Sequence, residues 1–281
     1  MEITNEIIGE SFSYDYSKKP LTCRISEQMA LNEILEFCIN INEKAVYSDD
    51  LLSVEVEEGT FLYELLYGLK SGKSRDGTAF LQEMMNKKSK KKSNGSTGRR
   101  IWCSCGRFSG AAATIQEYAY QRQGFLRMMQ DHKSYGQFMR TCFPNSVFAD
   151  DCEQELAYIE DFEEHIEEIT DCLALLDEKA ITLYYKYQTN LAEAQRVLQA
   201  LLQKTCAPDP KHKKYLQFEF SYEQEVDGEM KYRSKMVECQ PHFKLIRDDS
   251  NLRVYFWWKD DDIGAGKKVL IGRVGRHPWK K

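Results

Sequence analysis

Three short stretches near the end of the chain, PHFKL (241–245), LRVYFWW (252–258) and GRVGRHP (272–278), gather His242, Lys244, Arg253, Tyr255 and His277 into one region. Cleaving RNA without a metal calls for such groups: a base for the 2′-hydroxyl proton, an acid for the leaving oxygen, and cations for the charge on the phosphorane. Imidazole titrates near neutrality, so His242 and His277 suit the base and acid roles. Arg253 and Lys244 would stabilise charge, the arginine through the two parallel hydrogen bonds of its planar fork. Tyr255, Trp257 and Trp258 offer faces on which an unpaired base can stack. Two plainer readings fit the same residues: a phosphate-binding face without catalysis, or the polar side that any half-buried antiparallel sheet presents.

The elements that must position these groups are strands. Side chains alternate between the faces of a strand, so His242 and Lys244 share one face opposite Phe243 and Leu245. Arg253 and Tyr255 likewise share a face opposite Leu252, Val254 and Phe256. Paired as a hairpin, the two segments predict one apolar face for the core and one face of His, Lys, Arg and Tyr. VLIGRVG forms the last strand, with His277 beyond its end; LQFEFSYE and MKYRSKMVEC, joined by Asp227-Gly228, add a hairpin before it. The expected C-terminal domain, 206–281, is an antiparallel meander of about five strands.

Before it lies a helical region, 111–205. TIQEYAYQRQGFLRMMQDHKSYGQFM and CEQELAYIEDFEEHIEEITDCLALL repeat apolar residues every three or four positions, and Leu156, Ile159, Phe162, Ile166, Ile169 and Leu173 draw one packing stripe. Pro144 and Asn145 separate these two antiparallel helices, with Asp150 or Asp151 placed to cap the second. AITLYYKYQ reads as strand or as continued helix, and Asn190 with Glu193 has capping-box spacing. CAPDP stops the last helix and marks the expected domain boundary. The N-terminal region, 1–110, mixes strand and helix signals: ALNEILEFCININ, TFLYELLYGL and DGTAFLQEMMNK read as helices, LLSVEVEEG as a strand. The fold class that follows is α+β.

The net charge of −5 is unevenly spread. Residues 87–100, KKSKKKSNGSTGRR, carry seven Lys or Arg and no apolar side chain, the composition of a mobile loop. Its Lys90, Lys91, Lys92, Arg99 and Arg100, with Arg273 and Arg276 of the last strand, are the candidate nucleic-acid contacts, RNA being favoured; a solvated insertion explains the loop equally well. The acidic helical region offers a surface for a protein partner. No apolar run approaches a membrane span and the first residues lack a secretion signal, which points to a cytoplasmic protein. Nine scattered cysteines read as reduced thiols; Cys103 and Cys105 stand one residue apart, closer than structural zinc sites use. Nothing else calls for a metal or other cofactor: GAGKK (264–268) lacks the flanking residues of a phosphate loop, and Phe162 stands where a di-iron helix around His165 needs Glu. Arg127 and His132 have the Arg-x4-His spacing of HEPN-type ribonucleases, a spacing also frequent in polar helices.

The order PHFKL, LRVYF, VLIGRVGRH resembles the β-meander of RelE/ParE-type bacterial toxins. That resemblance implies a small ribonuclease domain in which Lys244, Arg253 and His277 attend the scissile phosphate and Tyr255 stacks a base. It covers the C-terminal segment only, and the helices that begin such toxins are absent from that segment. The expected function is therefore a toxin-like or phage-defence endoribonuclease. The alternative is a non-catalytic subunit that holds a partner through acidic helices and nucleic acid through basic surfaces.

Overall fold

The computed structural model describes residues 3–7, 25–48, 51–69, 89–91, 101–105, 108–226, 229–246 and 251–278. They form an α+β fold in two compact units, Met1–Phe125 and Leu126–Lys281.

In the first unit, β1 (Thr4–Ile7) leads through α1 (Ile25–Asn40) to β2 (Lys44–Ser48), which lies parallel to β1. β3 (Glu55–Glu57) and β4 (Thr60–Phe61) make a small hairpin ahead of α2 (Leu62–Leu66). β5 (Ser89–Lys91), β6 (Ile101–Cys105) and β7 (Phe108–Ala112) complete a sheet of order β5-β2-β1-β6-β7, followed by α3 (Ile115–Arg127). α1 buries Leu31, Ile34, Leu35 and Cys38 at the 3-4 spacing that its sequence predicts. Arg122 is buried beside them, its guanidinium 2.7 Å from the Glu43 carboxylate and in contact with the Tyr118 hydroxyl, which donates to Asn5 Oδ1. A buried cation is tolerated here because a carboxylate and hydrogen bonds replace its water. LLSVEVEEG divides into a 3-10 turn over Leu51–Ser53 and the short β3. Within the basic stretch, Ser89–Lys91 is strand β5, with Lys90 opposite Tyr47 and Lys91 opposite Ser48, so the expected loop is corrected there: ladder hydrogen bonds to β2 order these residues. Lys92, Arg99 and Arg100, and the helix expected over DGTAFLQEMMNK, lie outside the described residues.

The second unit begins with a correction. The single long helix expected from 114 to 139 is broken, because Asp131 accepts from the Ser134 N–H and caps a new helix, α4 (His132–Met139). β8 (Ser146–Phe148) follows, then a 3-10 turn over Gln154–Tyr158 and the long α5 (Phe162–Lys186), which includes AITLYYK as helix. The residue that opens α5 is Asp161, in the left-handed conformation; Asp150 instead accepts from the Ser221 N–H and hydroxyl. α6 (Leu191–Leu202) starts after Asn190, whose side chain makes no cap, and Glu193 pairs with Arg196, so the expected capping box does not form. Four short or medium strands then appear: β9 (Cys206–Ala207), β10 (Gln217–Val226), β11 (Glu229–Glu238) and β12 (His242–Lys244). β13 (Arg253–Trp257) and β14 (Val269–Gly275) end the fold. The expected continuous meander is two structures: β10 and β11 pair only with each other, while the main sheet runs β8-β14-β13-β12-β9 with β8 parallel to β14. The ribbon is pinned at its base by Asp150 and by Lys235 between Asp260 and Asp262.

One core serves helices and sheet alike. Leu156, Phe162, Ile166, Ile169 and Leu173 of the predicted stripe are buried in the same cluster as Phe243, Val254, Phe256 and Ile271. The helical region and the β-rich region, expected as separate domains divided at CAPDP, thus share one interior; the prolines end a helix without ending the core.

Asp177 ties α5 to β8, accepting from the Asn145 N–H at 2.8 Å and the Ser146 hydroxyl at 2.7 Å. Burial, opposed by these donors, pushes its carboxyl from 3.8 up to about 6. A folded pKa above the unfolded one means that its contribution is complete below about pH 4 and is lost as pH rises through 6. Relative to wild type, Asp177→Asn should therefore gain on the order of 3 kcal/mol between pH 4 and pH 7. Urea titrations of both proteins at each pH test this, and a difference that does not change with pH contradicts it.

Candidate active site on the C-terminal sheet

β12 and β13 pair so that His242 faces Tyr255 and Lys244 faces Arg253; β14 then sets Arg273 opposite Tyr255. Alternation places these side chains together, as the sequence pattern predicts. The face they share is not open to solvent. His242 is 5% exposed, Arg253 4% and Tyr255 0%, and Phe218 of the ribbon packs against Tyr255 with ring centroids 6.2 Å apart. His242, Arg253 and Tyr255 therefore form a supporting layer beneath the surface.

What reaches the surface is half-buried His277, beyond the end of β14. Its Nδ1 lies 2.7 Å from the Tyr255 hydroxyl, and its ring stands edge-on to His242 at 6.2 Å. Burial lowers the His242 pKa to about 4, with the charges of Arg253 and Lys244 adding to the effect against the Gln240 carbonyl and Asp209. His242 is consequently neutral at pH 7, and it fits a base or a packing group but not a general acid. Burial raises the Tyr255 phenol, so it keeps its proton. A protonated phenol and an imidazole can exchange donor and acceptor roles, which allows His277 to give or take a proton at its other nitrogen.

Sequence reasoning missed two residues beside this layer. Asp209 bonds His212 Nδ1 at 2.9 Å, and its charge acts on both His242 and Tyr255. Asp-x-x-His with a proline on either side of the Asp was the available signal: a stiff loop that aligns a carboxylate with an imidazole.

The remaining cations are more constrained than expected. Glu155, from the 3-10 turn before α5, bonds Arg273 at 2.6 Å and Arg276 at 3.0 Å, so neither is an unpaired phosphate contact. Arg273 Nε is buried with no hydrogen-bond partner among the described residues. Lys244 is half-buried. Arg127 and His132 lie on different helices, Arg127 paired with Asp171, and so do not form the helical Arg-x4-His site. Cys103 is buried, which pushes its thiol up to about 12, and among the described residues no group of three or more His, Cys, Asp or Glu is placed to hold a metal. Among the same residues, no helix is long and apolar enough to cross a membrane.

Around the end of the sheet runs a cleft of about 400 Å3 between Tyr158, Glu160, Asp161, His165, Leu252 and Arg276. Compared with known protein families, curated proteins and solved structures, the chain finds no match.

Proposed function

We propose that the second unit binds RNA and cleaves it by attack of the 2′-hydroxyl on the adjacent phosphate, the chemistry of a toxin-like or phage-defence endoribonuclease. The observation that carries this reading is the 2.7 Å contact between the buried Tyr255 hydroxyl and half-buried His277. With Nδ1 held there, proton transfer to and from substrate runs through Nε2 of His277. His212, oriented by Asp209, supplies a second imidazole for the opposite role. Arg253 and His242 act from below: one contributes positive potential, the other packs at 4.9 Å against Tyr255 and stays neutral. Lys244 supplies a cation for the phosphate. An imidazole pair yields a 2′,3′-cyclic phosphate, so incubation of end-labelled RNA with the protein should give fragments with that terminus. Complete absence of cleavage across RNAs of varied sequence contradicts the proposal.

A second reading is favoured by the ribbon. Tyr232 is 83% exposed on it, flanked by exposed Lys231 and Arg233, and the helix α5 exposes Glu163, Glu164 and Glu167 on another surface. These features suit a non-catalytic subunit that binds nucleic acid by one surface and a basic protein by another. Salt-dependent RNA binding without any cleavage would favour this reading over the first.

A further inference from the structure

We propose that the cleft at the start of α5 is a base-binding subsite that selects guanine. The inference deepens the RNA reading and rests on it only for the origin of the base.

Tyr158 provides the platform. Tyr158 is 59% exposed although the guanidinium of Arg276 lies over its ring, 4.0 Å from the centroid. Arg276 is itself held by Glu155, whose other oxygen bonds Arg273, so the stack is fixed from behind before any ligand arrives. A preformed aromatic surface with one side backed and the rest exposed is what an unstacked base needs. Ile159, Ile246 and Leu252 line the remaining wall, which suits the apolar ring edge of a base. The volume, about 400 Å3, is in the range of small-ligand pockets.

The polar groups then decide which base. Glu160 and Asp161 face the cleft, and the Asp161 side chain does not cap α5 although it occupies the N-cap position. Ionised carboxylates only accept hydrogen bonds. Guanine presents two adjacent donors, N1–H and N2–H, to one such group, whereas adenine presents one donor beside a ring acceptor that a carboxylate repels. The two carboxylates disfavour a phosphate beside them, and Arg276, on the same lining, is already paired with Glu155, so the occupant is the neutral ring and not the anion. Asp161 and Ile246, both lining residues, are held with positive φ, +49° and +68°. The Ile246 backbone is fixed in this conformation by Glu168, which accepts from its N–H at 2.9 Å, and by Lys204, which donates to its carbonyl.

The test uses nucleosides, which carry no phosphate. In calorimetric or NMR titrations of the full chain, guanosine should bind at least about tenfold more tightly than adenosine. Tyr158→Ala should weaken both by about tenfold or more, the size of one lost stacking contact. The double substitution Glu160→Gln with Asp161→Asn should leave stacking in place and remove the preference for guanosine. Wild-type protein that binds neither nucleoside, or binds both alike, overturns the inference. Because Tyr158 and both carboxylates are surface groups, circular dichroism of the variants checks that they stay folded. Failure here is separable from failure of the cleavage reading. RNA cleaved with no nucleoside binding removes only the subsite, while guanosine bound with no RNA cleaved removes only the catalysis.

Discussion

If the second unit cleaves RNA as proposed, His277→Ala should lower the rate by roughly 100-fold to 10,000-fold in single-turnover assays, the range in which a positioned acid or base contributes. Tyr255→Phe is the sharper experiment. It keeps the ring that packs under Phe218 and beside His242, with centroids 6.2 and 4.9 Å away, and removes only the hydroxyl 2.7 Å from His277. Burial keeps that phenol protonated across the working range, so its loss changes the proton affinity of His277 without removing a charge. The variant should therefore lose about tenfold in rate and move the pH–rate profile, with its melting temperature little altered. A structural hydrogen bond alone would change stability and leave the profile where it was. His242→Phe should do the reverse: with a pKa near 4 the imidazole is uncharged at pH 7, and its place beneath the surface is a packing role. Wild-type cleavage by both His277→Ala and Tyr255→Phe would remove the chemistry from this end of the sheet.

The parity of these strands was legible in the sequence and their environment was not, for a physical reason. A period of two reports which residues share a face, and His242 opposite Tyr255 with Lys244 opposite Arg253 is that pattern realised. It cannot report whether the face is covered, because the cover comes from elsewhere: Phe218 from a ribbon some forty residues away in the chain, and Glu155 from a turn 121 residues before Arg276. The same limit explains the domain boundary. Proline after a helix removes a donor and blocks the next turn, which is local; whether an interior continues across it depends on partners such as Leu173 and Val254 that only the fold brings into one cluster. Helix existence, by contrast, follows from local spacing: Phe162, Ile166, Ile169 and Leu173 of the expected stripe are buried on α5, whereas Leu156 and Ile159 precede it, in and after the 3-10 turn. The break at 128–131 was readable too, in Asp131 followed three residues later by Ser134, but a continuous apolar period masked it. The cleft was the least legible part. Tyr158 and Arg276 meet across a long sequence separation, and neither belongs to a motif.

Gly275→Ala has the largest expected effect on stability and reaches the cleft as well. Gly275 sits at φ +151°, a conformation that an L side chain rarely adopts, and it is the last residue of β14, opposite Arg253. A Cβ there would lie 2.3 Å from Cβ of Glu155, with the Glu155 backbone at 3.3 Å. That neighbour cannot yield by rotating a distant side-chain end, because the contact is at the root of the side chain, so the turn over Gln154–Tyr158 must move. Backbone strain of about 1 to 3 kcal/mol and the overlap together should cost on the order of 3 kcal/mol. In a thermal melt this is a fall of roughly 10 °C for a unit of this size. Glu155→Ala separates the causes: it removes the bonds to Arg273 and Arg276 while keeping the backbone where it is, and partly exposed ion pairs of this kind are worth about 1 kcal/mol or less each. Gly275→Ala should thus lower the melting temperature by clearly more than Glu155→Ala does, and both should weaken guanosine binding, since each frees Arg276 from its anchor beneath Tyr158. Equal melting temperatures for the two variants would mean that the close approach of Gly275 to Glu155 is not what fixes this turn.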